Sequence, residues 1–150
     1  MDMTGEERIN APRDAVWAGL NDPEILKRCI PGCQTLELQS PTELVASVRI
    51  KIGPVSATFN GEVTLSNINA PESYTISGEG KGGIAGFAKG GADVVLMADG
   101  SETVLQYSAK AQVGGKLAQL GARLVDSTSQ KLAKQFFADF NAAVSEKAGT

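Results

Sequence analysis

Residues 55–66 read VSATFNGEVTLS, and they decide the fold. Val55, Ala57, Phe59, Gly61, Val63 and Leu65 alternate with Ser56, Thr58, Asn60, Glu62, Thr64 and Ser66. That is the period of two of a strand with one apolar and one polar face. Upstream, Leu44, Ala46, Val48, Ile50 and Ile52 alternate in the same way, and Gly53-Pro54 supplies the turn between the two runs. Downstream the pattern continues through Tyr74, Ile76, Gly78 and Gly80, then Ala92, Val94 and Leu96, then Thr103, Leu105, Tyr107, Ala109, Ala111 and Val113. The connections at Ser40-Pro41, Ala70-Pro71 and Asp99-Gly100 are short, so neighbouring strands are antiparallel hairpins.

The flanks are helical. Residues 4–10 predict a short first strand, after which Pro12 opens a helix bearing Val16, Trp17 and Leu20. Asp22-Pro23 opens a second, carrying Ile25, Leu26 and Cys29, and Pro31-Gly32 stops it. After Gly114-Gly115, the residues Leu117, Leu120, Leu124, Leu132, Phe136, Phe140 and Val144 form one stripe. This predicts a single helix over 116–147, about 45 Å long. An antiparallel sheet with one apolar face needs a cover, and such a helix lies across it. The expected fold is α+β, a helix-grip in one domain over residues 1–150. A curved antiparallel sheet wraps a long C-terminal helix, with two short helices after the first strand.

Four segments together carry a family likeness: INAPRDAVWAGLNDPEILKRCIPG, GPVSATFNGEVTL, GEGKGGIAGFAKGGADVVL and AQVGGKLAQLGARL. They resemble the CoxG family, named for the CoxG subunit of carbon monoxide dehydrogenase, within the START-like (SRPBCC) helix-grip superfamily. The resemblance implies a non-catalytic accessory protein of a carbon monoxide dehydrogenase-type molybdenum hydroxylase, acting in its maturation or membrane recruitment. It also implies an apolar cavity under the long helix, holding a lipid- or quinone-like hydrophobic small molecule. Longer members carry a C-terminal extension that can anchor them; this chain ends at Thr150, so anchoring by such a tail is not expected.

Composition narrows the chemistry. Of 150 residues, 42% are hydrophobic and 21% charged, with 14 Lys+Arg against 17 Asp+Glu, a balance unlike that of a general nucleic-acid binder. No histidine is present, which removes Ser-His-Asp and Cys-His nucleophile systems and most zinc or iron sites. No cofactor or metal is expected. No apolar run reaches about 20 residues, and the start, MDMTGEERINAP, lacks a signal-peptide core, so the expected location is cytoplasmic, with peripheral contact at the inner face of the cell membrane as an option.

Several motifs have two readings. GEGKGG at 78–83 fits GxGxxG, but it lies in a strand-period segment with no helix after it, so the dinucleotide reading fails. Gly78 and Gly80 share parity with Tyr74 and Ile76, and they either admit the helix backbone or leave room for a ligand. Small residues at Ala92 and Ala109 on neighbouring strands favour the cavity. Its expected lining is Ile50, Phe59, Ile76, Gly78, Gly80, Phe87, Ala92, Tyr107, Ala109, Leu120, Leu124 and Thr128. The Thr128 hydroxyl either bonds the carbonyl one turn back or offers the cavity a polar contact. Cys29 and Cys33 read as buried free thiols. By parity Glu62, Glu79 and Asp93 point outward, so a cyclase- or hydrolase-type enzyme on the same fold lacks a carboxylate pair. A purely structural adaptor with a filled core is the third reading.

In a meander, alternate connections share one end of the sheet. Gly53-Pro54, residues 82–91 and Gly114-Gly115 therefore gather with Lys51, Lys81, Lys89, Lys110 and Lys116 around exposed Ile84 and Phe87. Glu37, Glu43, Glu72, Asp99 and Glu102 gather at the other end. The basic, apolar-tipped end suits an anionic membrane surface or an acidic patch on a partner enzyme, unless its lysines are merely solvated.

Overall fold

A computed structural model describes residues 1–148. The elements run β1 (Asp2–Ile9), α1 (Arg13–Leu20), α2 (Pro23–Cys29), β2 (Cys33–Ser40), β3 (Glu43–Ile52), β4 (Val55–Asn69), β5 (Ser73–Lys81), β6 (Phe87–Asp99), β7 (Glu102–Gly114), α3 (Lys116–Gln119) and α4 (Ala122–Ala148). The strands form one antiparallel sheet in the order β1-β7-β6-β5-β4-β3-β2. The six strands β2 to β7 are a meander, and β1 returns to pair with the last of them, Asp2 opposite Lys110 and Ile9 opposite Thr103. This is the expected helix-grip, two short helices included.

Local chemistry explains the element ends. The Glu24 N–H donates to Asp22 Oδ1 at 3.0 Å, and Pro23 takes the first helical position, so α2 starts at the predicted place. After β1 the chain is tied down by Thr103, whose buried hydroxyl donates to the Ala11 carbonyl at 2.8 Å.

The predicted single long helix is broken. Gly121 takes φ +93°, a left-handed conformation that glycine adopts without strain, and it separates the one-turn α3 from α4. The remaining 27 residues of α4 span about 40 Å. The connection predicted over 82–91 is also shorter. β6 begins at Phe87, and the link is a 3-10 turn at Gly83–Ala85 whose Ala85 is buried.

The core divides in two. At the end capped by α1 and α2, Ile9, Val16, Leu20, Ile25, Cys29, Tyr74, Val94, Leu96 and Leu105 pack with Phe140, Ala143 and Val144 of α4. At the opposite end a smaller group joins Ile52, Phe59, Ala85 and Leu117, with Ile50, Val55, Ala57, Val113, Leu120 and Leu124 packed against it. The backbone of α4 comes close to α1, α2, β1 and β3 and stands further from the central strands β5 and β6.

Candidate ligand cavity

Strand register places a belt of small side chains between the two packed ends. Gly61 lies opposite Gly80, and Gly80 opposite Ala88. In the next row Gly78 faces Gly90, and Gly90 faces Ala111. In the third, Ile76 faces Ala92, and Ala92 faces Ala109. These positions share the face of Tyr74, Val94 and Leu105, the face turned toward α4. Gly78, Gly90 and Ala111 also line a groove on the outer face, but Gly61, Gly80, Ala88, Ala92 and Ala109 do not and are still only half-buried. A filled core would bury them. On the facing helix, Thr128, Leu132 and Phe136 are likewise half-buried, whereas Phe140 is fully buried.

The belt glycines differ in kind. A Cβ on Gly80 would meet only Phe59 Cβ at 3.7 Å, ordinary contact, so this position has spare room. A Cβ on Gly78 would stand 3.2 Å from the Glu62 carbonyl oxygen, and one on Gly90 would collide with that of Lys110. Gly90 is thus required by close strand approach, and Gly80 is not.

The expected lining residues separate into groups. Gly78, Gly80, Ala92 and Ala109 form the belt itself. Ile76 and Tyr107 pack against the larger cluster at its edge. Phe59 is buried in the smaller cluster, where Ile50, Leu120 and Leu124 pack beside it, so these four close one end of the space. Phe87 is a correction. Its neighbour Ala88 faces inward, so the Phe87 ring lies on the outer face, packed across Gly114. Thr128 also differs from the back-bonded reading. Ser127 and Ser129 donate to the carbonyls of Leu124 (3.1 Å) and Val125 (2.8 Å), while the Thr128 hydroxyl has no protein partner among the described residues.

One inward side chain is missed by the sequence reading, and it gives one of the two tyrosines a polar neighbour. Glu7 pairs across from Leu105 and so shares the inward parity of edge strand β1. The alternation of Met3, Gly5 and Glu7 is the available signal, but the polar residues between them (Asp2, Thr4, Glu6) hide it. Tyr107 lies over Gly5 and stacks on Phe137 with ring centroids 5.3 Å apart; burial, and secondarily the Glu7 carboxylate, push its phenol above the ordinary range. Tyr74 is 4% exposed and meets Trp17 edge-on, with centroids 5.1 Å apart.

Glu62, Glu79 and Asp93 are exposed on the outer face, as their parity predicts. Cys29 is buried and Cys33 half-buried; both are free, and burial raises both thiols, which leaves them poor nucleophiles. Among the described residues no group of three Cys, Asp or Glu could hold a metal ion, and no helix is long and apolar enough to cross a membrane.

The lysines expected at the basic end fall into two groups. Lys51, Lys81 and Lys116 are exposed there beside Ile84, which is 85% exposed at the tip of its turn. Lys89 and Lys110 instead line a groove of about 660 Å³ on the outer face, together with Asp2, Glu62 and Glu79. The opposite end is acidic and partly neutralised, with Arg8 bridging Asp99 at 2.8 Å and Glu102 at 2.9 Å.

Over residues 5–145 the chain matches the family described as the CoxG subunit of carbon monoxide dehydrogenase. Among solved structures it is similar to a conserved protein from Geobacillus kaustophilus, with 28% identity, a TM-score of 0.91, and coverage of 97% of this chain and 96% of that one. A START superfamily protein from Mycobacterium smegmatis shares the fold at 14% identity and a TM-score of 0.73, with 97% of each chain covered. An aromatase/cyclase from Streptomyces sp. R1128 does so at 12% identity and a TM-score of 0.67, with 96% of this chain and 93% of that one covered. No curated protein matches by sequence.

Proposed function

This chain belongs to the CoxG family of carbon monoxide dehydrogenase subunits, and from that premise we propose that it is a ligand-carrying accessory protein rather than a catalyst. Its partner in this reading is a molybdenum hydroxylase of the carbon monoxide dehydrogenase type, and its cargo is an apolar, lipid- or quinone-like molecule held between the sheet and α4. The observation that carries the cargo is the half-exposed belt of glycine and alanine between two packed clusters. Apolar walls with few polar groups are the usual lining of a small-molecule site. The outward placement of Glu62, Glu79 and Asp93 favours carriage over carboxylate catalysis of the cyclase type.

The test is Gly80→Leu. Its Cβ fits, and the rest of the side chain enters the belt. Native mass spectrometry of the purified wild type is expected to show an apolar small molecule bound, and the variant is expected to lose it while melting within a few degrees of the wild type. A wild type that carries nothing, or a variant that keeps the ligand, overturns the reading.

The same reading takes the basic end as the docking face toward a membrane. Ile84 stands 85% exposed on a turn packed beside α3, with Lys51, Lys81 and Lys116 around it. Among the described residues none of these lysines makes an ion pair. Each basic residue near an anionic surface contributes about 1 kcal/mol. In liposome sedimentation at low salt, the wild type is expected to pellet with anionic but not with neutral vesicles. Lys81→Glu/Lys116→Glu is expected to bind at least about tenfold more weakly. A wild type that stays in solution with anionic vesicles removes membrane docking from this end.

A further inference from the structure

Tyr74 is the polar side chain of the interior that nothing in the protein satisfies. It is only 4% exposed, and its hydroxyl has no hydrogen-bond partner among the described residues. No fully sealed side-chain oxygen among those residues lacks a partner, so the little surface that Tyr74 retains includes its hydroxyl. Burial also raises its phenol, which keeps it a neutral donor at any physiological pH. The other inward hydroxyls, Tyr107 and Thr128, are half-exposed and can be served by solvent. A donor with so little exposed surface is poorly served by solvent, and a ligand that supplies the acceptor completes its hydrogen bonding.

Register fixes where this donor stands. Tyr74 projects from β5 on the face of the belt, two positions before Ile76 and four before Gly78, at the border with the larger cluster. Leu117, Phe59 and Ile52 close the opposite end of the belt with no polar side chain among them.

We propose that Tyr74 donates a hydrogen bond to an uncharged oxygen of the bound ligand, so that the ligand lies polar end inward, at Tyr74, with its apolar chain running toward Phe59 and Leu117. This rests on the cavity reading above and adds to it a contact residue and an orientation. The charge of the acceptor follows from the surroundings. The inward face of the described sheet offers Glu7 and no lysine or arginine, which disfavours a carboxylate.

Trp17 is the one tryptophan of the chain and touches Tyr74, so its emission reports on this end. The probes are 2-dodecanone, dodecane and 12-bromo-2-dodecanone, whose heavy atom quenches only at close range. The ketone is expected to bind Tyr74→Phe about tenfold more weakly than the wild type, the loss of one neutral hydrogen bond, with dodecane changed less than about twofold. In the wild type, the brominated ketone is expected to perturb Trp17 no more than the plain ketone. Equal loss for ketone and alkane, or no loss, overturns the proposal while leaving the cavity in place. Strong quenching by the terminal bromine overturns the orientation without relying on any variant. If neither ketone nor alkane binds the wild type, the cavity reading falls and this proposal with it.

Discussion

Phe140→Ala is expected to cost about 3–5 kcal/mol, the range for truncating a fully buried phenylalanine. The ring is 0% exposed, stacks on Phe136 with centroids 5.6 Å apart, and packs against Gly19 of α1, where an added Cβ would stand 3.3 Å away. It is therefore held between α1 and a neighbouring ring of its own helix. For a domain of this size each kcal/mol lowers the melting temperature by about 2–4 °C, so calorimetry should record a fall of about 6–20 °C. A fall below about 4 °C would mean that the larger cluster collapses onto the gap and is not the main support of the fold.

Gly90→Ala, a single methyl, is expected to destabilise by about 2–3 kcal/mol, with chemical denaturation as the measurement. The new Cβ would collide with the Lys110 carbonyl oxygen and stand 2.9 Å from the Ala111 Cα, both backbone atoms that move only if β6 and β7 separate. Gly80→Ala is the internal control. Its Cβ meets nothing closer than 3.7 Å, and losing a glycine reduces unfolded-chain entropy, so it should be neutral or stabilising by up to about 1 kcal/mol. Equal effects at the two positions would refute the distinction between a glycine that the sheet requires and one that leaves space.

Period-two alternation locates β3 to β7 because one face of each strand is apolar and turn residues separate them. The cap of α2 is legible because Asp22-Pro23 names its own backbone geometry. The break at Gly121 is written as plainly, but an unbroken stripe from Leu117 to Leu124 on either side masks it. Phe87 is misplaced for a different reason. Its face depends on where β6 begins, and the run GGIAGFAKGG gives no alternation from which to count. Thr128 falls on the right stripe, but the hydroxyls that bond backward are those of Ser127 and Ser129 beside it. The belt itself is half legible. Small residues on three strands are visible, while the separation of Gly80 from Gly90 needs strand distances that composition does not carry.

The pairing of β1 with β7 has a consequence in time. As the chain is synthesised, each hairpin from β2 to β7 finds its neighbour immediately upstream, at little loop-closure cost. The first eight-residue strand has no such neighbour. It waits for a partner strand that lies some hundred residues later, Asp2 for Lys110 and Ile9 for Thr103. The cap formed by α1 and α2 waits longer still, for Phe140, Ala143 and Val144 near the end of α4. Strand β1 and its cap are therefore completed after the strands between them, and until α4 has left the ribosome the cover that Phe140, Ala143 and Val144 give to Val16, Leu20 and Ile25 is missing.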